Sequence, residues 1–565
     1  MGVSKAGSPT RVSPPLEAVA QGPRRWLGLV FVGLGVALII VDSTIVNVAI
    51  PPIIRDIGLT STEAQWVQEV YTLVFASLLL VWGRLADRYG RRLLFLLGTG
   101  IFAAASVLAA LSQSGPELIG SRVAQGVGGA MMLPTSLSLL NAGFRGRDRG
   151  IAFAVWGSTI GAAGALGPLL GGWLTTAFSW RWAFGVNIPF GLAVLLGALA
   201  FVAESRDEGA SGGNDLLGAS LSVLGCGGIV FGLIEGRQYG WLRLARPLSI
   251  SGVSWPQQVS PIPVAFAVGV VALALFVVAE LRRSRQGKVV LLDLRLFRIP
   301  SFRNGNLAAA IVSLGEFGLL FSLPLWFENV RGYTAFQTGL ALLPLAIGSV
   351  VSSGLAVQLG ARRGAAFVVR LGIALEALAV IGIGIVIGPT TPWWETTPPL
   401  FVYGMGVGLA TAQLTGVALV DVPVESSGQG SGIQSTTRQV GSAFGVAVLG
   451  SVLFGVLTRQ LSGTLAQHLP LPAGQREAIV EAVQQSAGAV IAGLAHNPHT
   501  ALVAEYARDA FSEATRWTAF CAAAFLILGL LASLSLSRGS ALRSKEGEGK
   551  LGRVAPDRGR GPGSA

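Results

Sequence analysis

The chain has 565 residues, of which 52% are apolar and only 12% charged, and its formal net charge is +12. Soluble domains carry about 25% charged residues, so this balance excludes an ordinary soluble protein. The apolar runs are continuous rather than alternating, which excludes a transmembrane β-barrel and leaves an all-α polytopic membrane protein.

Fourteen spans are predicted, each long enough to cross a hydrocarbon core of about 30 Å as a helix. The first six lie near 26–50, 65–84, 93–113, 116–141, 149–174 and 181–203. Two more follow near 215–235 and 261–281. The last six lie near 303–328, 337–359, 364–388, 398–421, 430–457 and 515–537. The first run follows Arg24 and Arg25 and is too long for a signal-peptide core, so it is read as a retained helix.

Loop charges orient the chain. Alternate loops carry Arg84, Arg88, Arg91 and Arg92, then Arg145, Arg147 and Arg149, then Arg282, Arg283, Arg285 and Lys288, then Arg362 and Arg363. The intervening loops hold Arg55, Arg181 and Arg331 nearly alone. The excess of cationic loops on one side places both termini in the cytoplasm. This distribution also accounts for the net charge without nucleic acid as a partner.

The expected organisation is a cytoplasmic tail (1–25), a six-helix bundle (26–205), two inserted helices with linkers (206–300), a second six-helix bundle (301–537) and a basic tail (538–565). Both tails read as disordered from their Gly, Ser, Pro and Arg content. An outer loop is expected at 458–514, with one amphipathic helical stretch from Arg476 to Leu494. The loop Gly360–Gly364, containing Arg362 and Arg363, echoes residues 83–92 at the matching place in the second half. Repeated six-helix halves are a transporter plan.

Several residues are candidates for chemistry. Asp42 lies inside span one, where a carboxylate costs roughly 2.5–3.5 kcal/mol by insertion scales. It either fixes helix packing or binds a proton or cation. Arg122 begins Arg-Val-Ala-Gln-Gly-Val-Gly-Gly-Ala in span four. With Asp42 eight residues from the outer end of its helix and Arg122 about six from the end of its own, their depths match. A paired arginine would hold the carboxylate charged, and its withdrawal would let the carboxylate take a proton. A snorkelling arginine is the alternative.

Residues 83–92, Gly-Arg-Leu-Ala-Asp-Arg-Tyr-Gly-Arg-Arg, read as a short charged loop that turns the chain at the membrane surface. Gly83 and Gly90 permit the turn, Arg88, Arg91 and Arg92 hold it at the surface, and Asp87 gives them a partner. Span five carries Gly161, Gly164, Gly167, Pro168, Gly171 and Gly172. Steps of three and four put the first three and Gly171 on one broad face, which admits a close neighbour backbone. Ordinary tight packing is the alternative reading.

Glu316 and Glu376 lie near the middles of spans nine and eleven. Glu316 stands beside Phe317 and Phe321, with Trp326 following. An acid among aromatics suits an organic cation through charge and cation–π attraction. Both glutamates are candidates for a substrate site or a second proton site, and a buried pair with a polar neighbour is the alternative. Arg438, inside span thirteen, could hold either a carboxylate or the bundle interface. Glu69 sits near the outer end of span two and receives no role. Cys226 and Cys521 fall in apolar segments and read as small hydrophobes. His468, His496 and His499 in the outer loop form no metal or catalytic pattern, and no P-loop occurs. No cofactor or metal is therefore expected, and the chain does not read as an enzyme.

Asp42 with its neighbours, residues 83–92, the Arg122 run and the Gly-Pro-x-x-Gly-Gly element of span five occur in an order that resembles drug/proton antiporters of the major facilitator superfamily, in their fourteen-span branch. Ser431-Gly-Ile-Gln-Ser-Thr-Thr-Arg438-Gln-Val-Gly441 is similar to a stretch of that branch. The second-half loop departs from the pattern by lacking an aspartate. The resemblance implies a major facilitator fold of two six-helix bundles plus two inserted helices. It further implies proton-coupled export of lipophilic or cationic drugs, or of a toxic metabolite, across the bacterial cytoplasmic membrane. The partners would be a small-molecule substrate, protons and membrane lipid. An accessory periplasmic partner is left open. A transporter of the same fold for a native solute or lipid precursor is the alternative.

Overall fold

A computed structural model of the chain describes residues 23–206, 215–244, 249–250, 253–254 and 259–536. Most of the expected tails at 1–25 and 538–565 lies outside these described residues.

The first six spans are α1 (Arg24–Ile57), α2 (Ser61–Tyr89), α3 (Arg91–Leu111), α4 (Gly115–Gly143), α5 (Gly146–Ala177) and the pair α6 (Arg181–Gly185) and α7 (Asn187–Phe201). The sixth span is split because Pro189 has no N–H for the carbonyl of Gly185. Next come α8 (Leu216–Tyr239) and α9 (Pro261–Arg285), separated by a two-residue antiparallel pairing of Ser249–Ile250 with Val253–Ser254. The last six spans are α10 (Pro300–Asn329), α11 (Ala335–Arg363), α12 (Ala365–Val386), α13 (Trp393–Ala418), α14 (Ser427–His468) and α17 (Ala501–Ser533). Two short helices, α15 (Ala473–Gln485) and α16 (Val490–His496), lie between α14 and α17. Fourteen of the described helical segments are long and apolar enough to cross a membrane.

Buried apolar residues collect in two main groups. One joins α10 to α14 and α17, around Trp326, Phe327 and Phe511. The other joins α1 to α5 and α7, around Phe95, Phe102 and Trp156. The helices α8 and α9 pack on each other, and α8 also packs on α2 and α14.

The echo between the halves extends to helix ends. Thr60 caps α2, its hydroxyl accepting from Glu63 N (3.2 Å) while Glu63 accepts from Thr60 N (2.9 Å). Thr334 and Gln337 make the same box at α11, at 3.2 and 2.9 Å. Such boxes satisfy amide donors that a helix start otherwise leaves open. Both helices end at a glycine with positive φ, Gly90 at 120° and Gly364 at 88°, where the next helix begins.

Three expectations are corrected here. Residues 83–92 are not a loop, because α2 and α3 run through them and only Gly90 interrupts the helices. The Glu204 carboxylate accepts from Arg92 N and Leu93 N, both at 3.0 Å, which caps α3 and removes the need for a spacer. A Cβ on Gly90 would meet that carboxylate at 2.8 Å. Helix α1 continues through Pro51 and Pro52 to Ile57, so Asp42 stands far deeper from the helix end than eight residues. At that end Arg181 and the Trp180 indole donate to Asp56, and they hold its carboxyl below the usual range. The expected loop 458–514 is largely helical, with α14 and α17 extending into it. The stretch 476–494 is broken after Gln485 rather than continuous. Ala487 (φ 50°) and Gly488 (φ 94°) turn the chain there, and Asn329 Nδ2 donates to Ala487 O at 2.9 Å.

Candidate functional site

Asp42 and Arg122 meet. Arg122 Nη1 lies 2.5 Å from Asp42 Oδ2, and the two side chains are 1% and 0% exposed. The aspartate does not depend on the arginine alone. Its Oδ1 accepts from Gln125 Nε2 (3.0 Å) and Asn187 Nδ2 (2.6 Å). Arg122 also donates to Gln125 Oε1 (2.8 Å) and to the Val67 carbonyl (3.1 Å), and its guanidinium lies 4.3 Å from the centre of the Tyr71 ring. Gln125 Nε2 further donates to Ser106 Oγ at 2.8 Å. Helices α1, α2, α3, α4 and α7 thus converge on one charge pair. Burying two charges is costly unless the remaining polar valences are met, and these amides meet them. The sequence carried a signal for Gln125, which lies three residues after Arg122 and so on the same helix face. Asn187 had none beyond being an amide in an apolar segment.

A second ionic site joins the two halves. Asp87 is fully buried and pairs with Arg91 one turn later, at 2.7 Å. Its two oxygens also accept the backbone N–H groups of Gly428 (2.6 Å) and Gln429 (2.9 Å) at the start of α14. Arg91 Nη2 donates to Val424 O at 2.6 Å. A carboxylate there satisfies helix donors that have no partner within their own helix and sits at the positive end of the helix dipole. Beside it Asn141 Nδ2 donates to Ser427 Oγ (2.8 Å), and Arg149 donates to Gly416 O (3.1 Å). Gly83 is needed for closeness: a Cβ would come within 2.5 Å of Gly428 O. The other charges of the run go elsewhere. Arg92 Nη2 donates to Leu199 O (2.7 Å) within its own half, and Arg88 lies 5.3 Å from the Tyr89 ring centre.

The glycines of α5 do not share one face as expected. Gly167 and Gly171 meet α1, where a Cβ on Gly171 would lie 2.8 Å from Ile45 Cγ1. Gly161 and Gly172 meet α11, where a Cβ on Gly172 would lie 2.8 Å from Phe336 N. Gly164 has open space. The reason is angular: steps of three and four drift around the helix, so four glycines spread across two neighbours. Pro168 lies within α5 without ending it.

A third cluster occupies the second half. Arg438 Nη2 lies 3.7 Å from Glu316 Oε2, so Arg438 serves a carboxylate. Thr411 Oγ1 donates to Glu316 Oε1 at 3.3 Å, and the Tyr403 hydroxyl donates to the Glu316 carbonyl at 3.4 Å. Glu376 lies within electrostatic range of both Glu316 and Arg438. It is fully buried, and neither of its oxygens accepts a hydrogen bond from the described residues. Gly406 lets α13 approach it, since a Cβ would stand 2.5 Å from Glu376 Cγ. Phe317 and Phe321 are half-buried and lie about 100° and about 140° round the helix from Glu316. Trp326 is a packing residue, its indole donating to Ser512 Oγ at 3.2 Å. Tyr403 and Thr411 were not anticipated from the sequence.

Fourteen spanning helices, buried charge clusters and an ionic contact between the two halves define a membrane transporter rather than an enzyme. The comparisons agree. The model of the Major Facilitator Superfamily matches residues 32–446, and the chain belongs to that family. It is 33% identical over 527 residues to the multidrug resistance protein Stp of Mycobacterium tuberculosis, covering 90% of this chain and 91% of that one. It is 33% identical over 468 residues to a probable actinorhodin transporter of Streptomyces coelicolor, covering 80% and 77%. A tetracenomycin C resistance and export protein of Streptomyces glaucescens is 29% identical over 496 residues, with 86% and 87% covered. Among solved structures, the human organic anion transporter MFSD10 (TETRAN) superposes with a TM-score of 0.56 at 14% identity, over 91% of this chain and all of that one. That likeness speaks to the fold.

Proposed function

We propose that this protein is a proton-coupled antiporter of the bacterial cytoplasmic membrane that exports lipophilic or cationic compounds, drugs or a toxic metabolite, by alternating access. The buried Asp42–Arg122 pair with its amide shell is the observation that carries the reading. A proton reaching Asp42 cancels the charge that holds Arg122. Gln125 and Asn187 still donate to a neutral carboxyl, more weakly than to a carboxylate, while Arg122 keeps its contacts with Val67 and Tyr71. Helices α1 and α4 are biased apart by that exchange. The names of the relatives, resistance and export proteins, support outward transport.

In this reading both termini are cytoplasmic, and the Asp87–Arg91 contact with α14 is the cytoplasmic gate. It closes the inner side while the outer side is open and must break for substrate to enter. Glu316, Glu376 and Arg438, with Phe317 and Phe321 nearby, form the substrate site or a second proton site. One charge crossing 100 mV releases about 2.3 kcal/mol. One pH unit adds about 1.4 kcal/mol. A single proton therefore supports a gradient of about 500-fold for a neutral substrate, but only about tenfold per pH unit for a monocation, whose export cancels the charge movement. A second buried acid answers that shortfall.

The test is dye accumulation in inverted membrane vesicles energised by a proton gradient. Asp42→Asn should abolish gradient-driven uptake while the protein still reaches the membrane. Uptake equal to wild type would falsify the assignment.

A further inference from the structure

A line of polar side chains on α14 joins the contact between the halves to the Glu316 cluster. It consists of Ser427, Ser431, Gln434 and Arg438. Steps of four, three and four residues cancel one another's drift, so the four stay on one face of the helix, within about 60°. From 427 to 438 the line rises about 16 Å, roughly half the thickness of a hydrocarbon core. Ser427, Ser431 and Gln434 are each 0% exposed.

Both ends of the line meet groups already described. Ser427 precedes Gly428, whose N–H Asp87 accepts, and its hydroxyl accepts from Asn141 Nδ2 at 2.8 Å. Arg438 faces Glu316. A side route runs over α13. Gln434 Nε2 donates to Thr415 Oγ1 (3.3 Å), and one turn away Thr411 Oγ1 donates to Glu316 Oε1 (3.3 Å). Along the line three buried oxygens take part in no hydrogen bond with the described residues: Asn141 Oδ1, Ser431 Oγ and Gln434 Oε1. Asn141 itself is 5% exposed.

Open polar valences at membrane depth are costly unless water or a ligand reaches them. Close packing does not account for these. Gly432 supplies the approach to α2, since a Cβ there would lie 3.2 Å from Leu79 O, and glutamine is not a small residue. Side chains buried so completely can meet single water molecules but not a drug-sized compound.

We infer that this line is the route by which a proton leaves Glu316 for the cytoplasm, with Ser431 relaying it and Gln434 orienting the water beside the acid. The inference rests on the proposed proton coupling and on Glu316 as its second proton site. When the contact between the halves opens, Ser427 parts from Asn141 and water enters along the face of α14. The Glu316 carboxyl gives its proton to the nearest water, and the carboxylate stays paired with Arg438. Each water, and the Ser431 hydroxyl, takes one proton and passes one on, so a hydrated proton leaves and no other bond changes. Gln434 does not ionise; its amide holds Thr415 while its oxygen accepts from water. With the contact closed, Ser427 and Asn141 seal the route against leak.

The test uses the full-length protein in proteoliposomes, with ethidium as the probe and a trapped pH-sensitive dye reading proton movement. Ser431→Ala removes a hydroxyl that has no partner, so its melting temperature should equal or exceed that of wild type. Ethidium-driven proton movement should slow about tenfold or more in Ser431→Ala and in Gln434→Leu. Ethidium–ethidium counterflow needs no net proton movement and should be retained, and Ser431→Thr should restore the proton rate. Ser431→Ala covers the case in which Gln434→Leu fails to fold. Proton movement at the wild-type rate in Ser431→Ala, or loss of counterflow in step with it, would overturn the route. Wild type that exchanges ethidium but moves no proton would instead overturn the proposed coupling, and the route with it.

Discussion

Arg122 and Asp42 are joined at 2.5 Å across 80 positions of sequence, in a setting from which solvent is excluded. The pair is held by geometry from five helices, so its two members are not interchangeable with their neighbours. Arg122→Ala leaves a buried carboxylate without its cation, a change that typically costs about 3–5 kcal/mol. Adding Asp42→Asn removes the stranded charge. The double variant should recover most of the lost thermal stability in detergent while remaining inactive in transport. Additive losses in the double variant would show that the two residues act separately.

Gly428 is the sharpest probe of the contact between the halves. A Cβ there would stand 2.5 Å from Asp87 Oδ1, so Gly428→Ala pushes the carboxylate off its two amide donors without removing any charge. Hydrogen bonds to a charged group are worth about 1.5–3 kcal/mol each, so the contact should open substantially. A cysteine at Ser427 is expected to react several-fold faster with a water-soluble maleimide in the Gly428→Ala background. Equal rates would show that the contact does not control access.

The glycines of α5 can be ranked by what surrounds them. Gly164→Ala meets open space and should change stability by no more than about 0.5 kcal/mol. Gly171→Val enters the contact with Ile45 and Val48 of α1 and should cost about 1–3 kcal/mol. Melting of the purified variants, followed by tryptophan fluorescence, checks the order. If Gly164→Ala were the more harmful, the two-neighbour packing of α5 would be wrong.

Among the described residues Glu376 has no hydrogen-bond donor to lose, whereas Glu316 accepts from Thr411 and forms an ion pair with Arg438. Glu376→Gln should therefore fold as well as wild type, and Glu316→Gln should be the less stable of the two. If the second acid carries a proton, Glu376→Gln should lose export of dicationic dyes and keep export of a monocation. Parallel efflux measurements with one dye of each charge read this directly, and equal loss of both would assign Glu376 to substrate binding instead.

How much of this was legible in the sequence depended on the kind of signal. The fourteen helices were, because each needs about 20 apolar residues and the charges between them are sparse. Asp42 and Arg122 were, because a charge within such a run is costly and conspicuous. The amides that complete their site were not, since Gln125 and Asn187 add little to the hydropathy of their segments. The run 83–92 reads from sequence as a loop at the membrane surface. Its density of charge suggested solvent, while Asp87 and Arg91 are in fact buried in an interface. The break at Ala487 and Gly488 is hidden in the sequence because one amphipathic stretch covers parts of both α15 and α16.

The second half contributes to Asp87 through main-chain nitrogens, not through side chains. Apart from bulk at 428 and the loss of N–H that proline would bring, the side chains at 428 and 429 are not dictated by that bond. Gln429 illustrates the freedom, since its own amide oxygen accepts from Asp293 N at 2.8 Å and so ties down the segment that follows α9. One short stretch of α14 therefore answers to two masters through different atoms, and drift in its side chains can retune the linker without unfastening the halves.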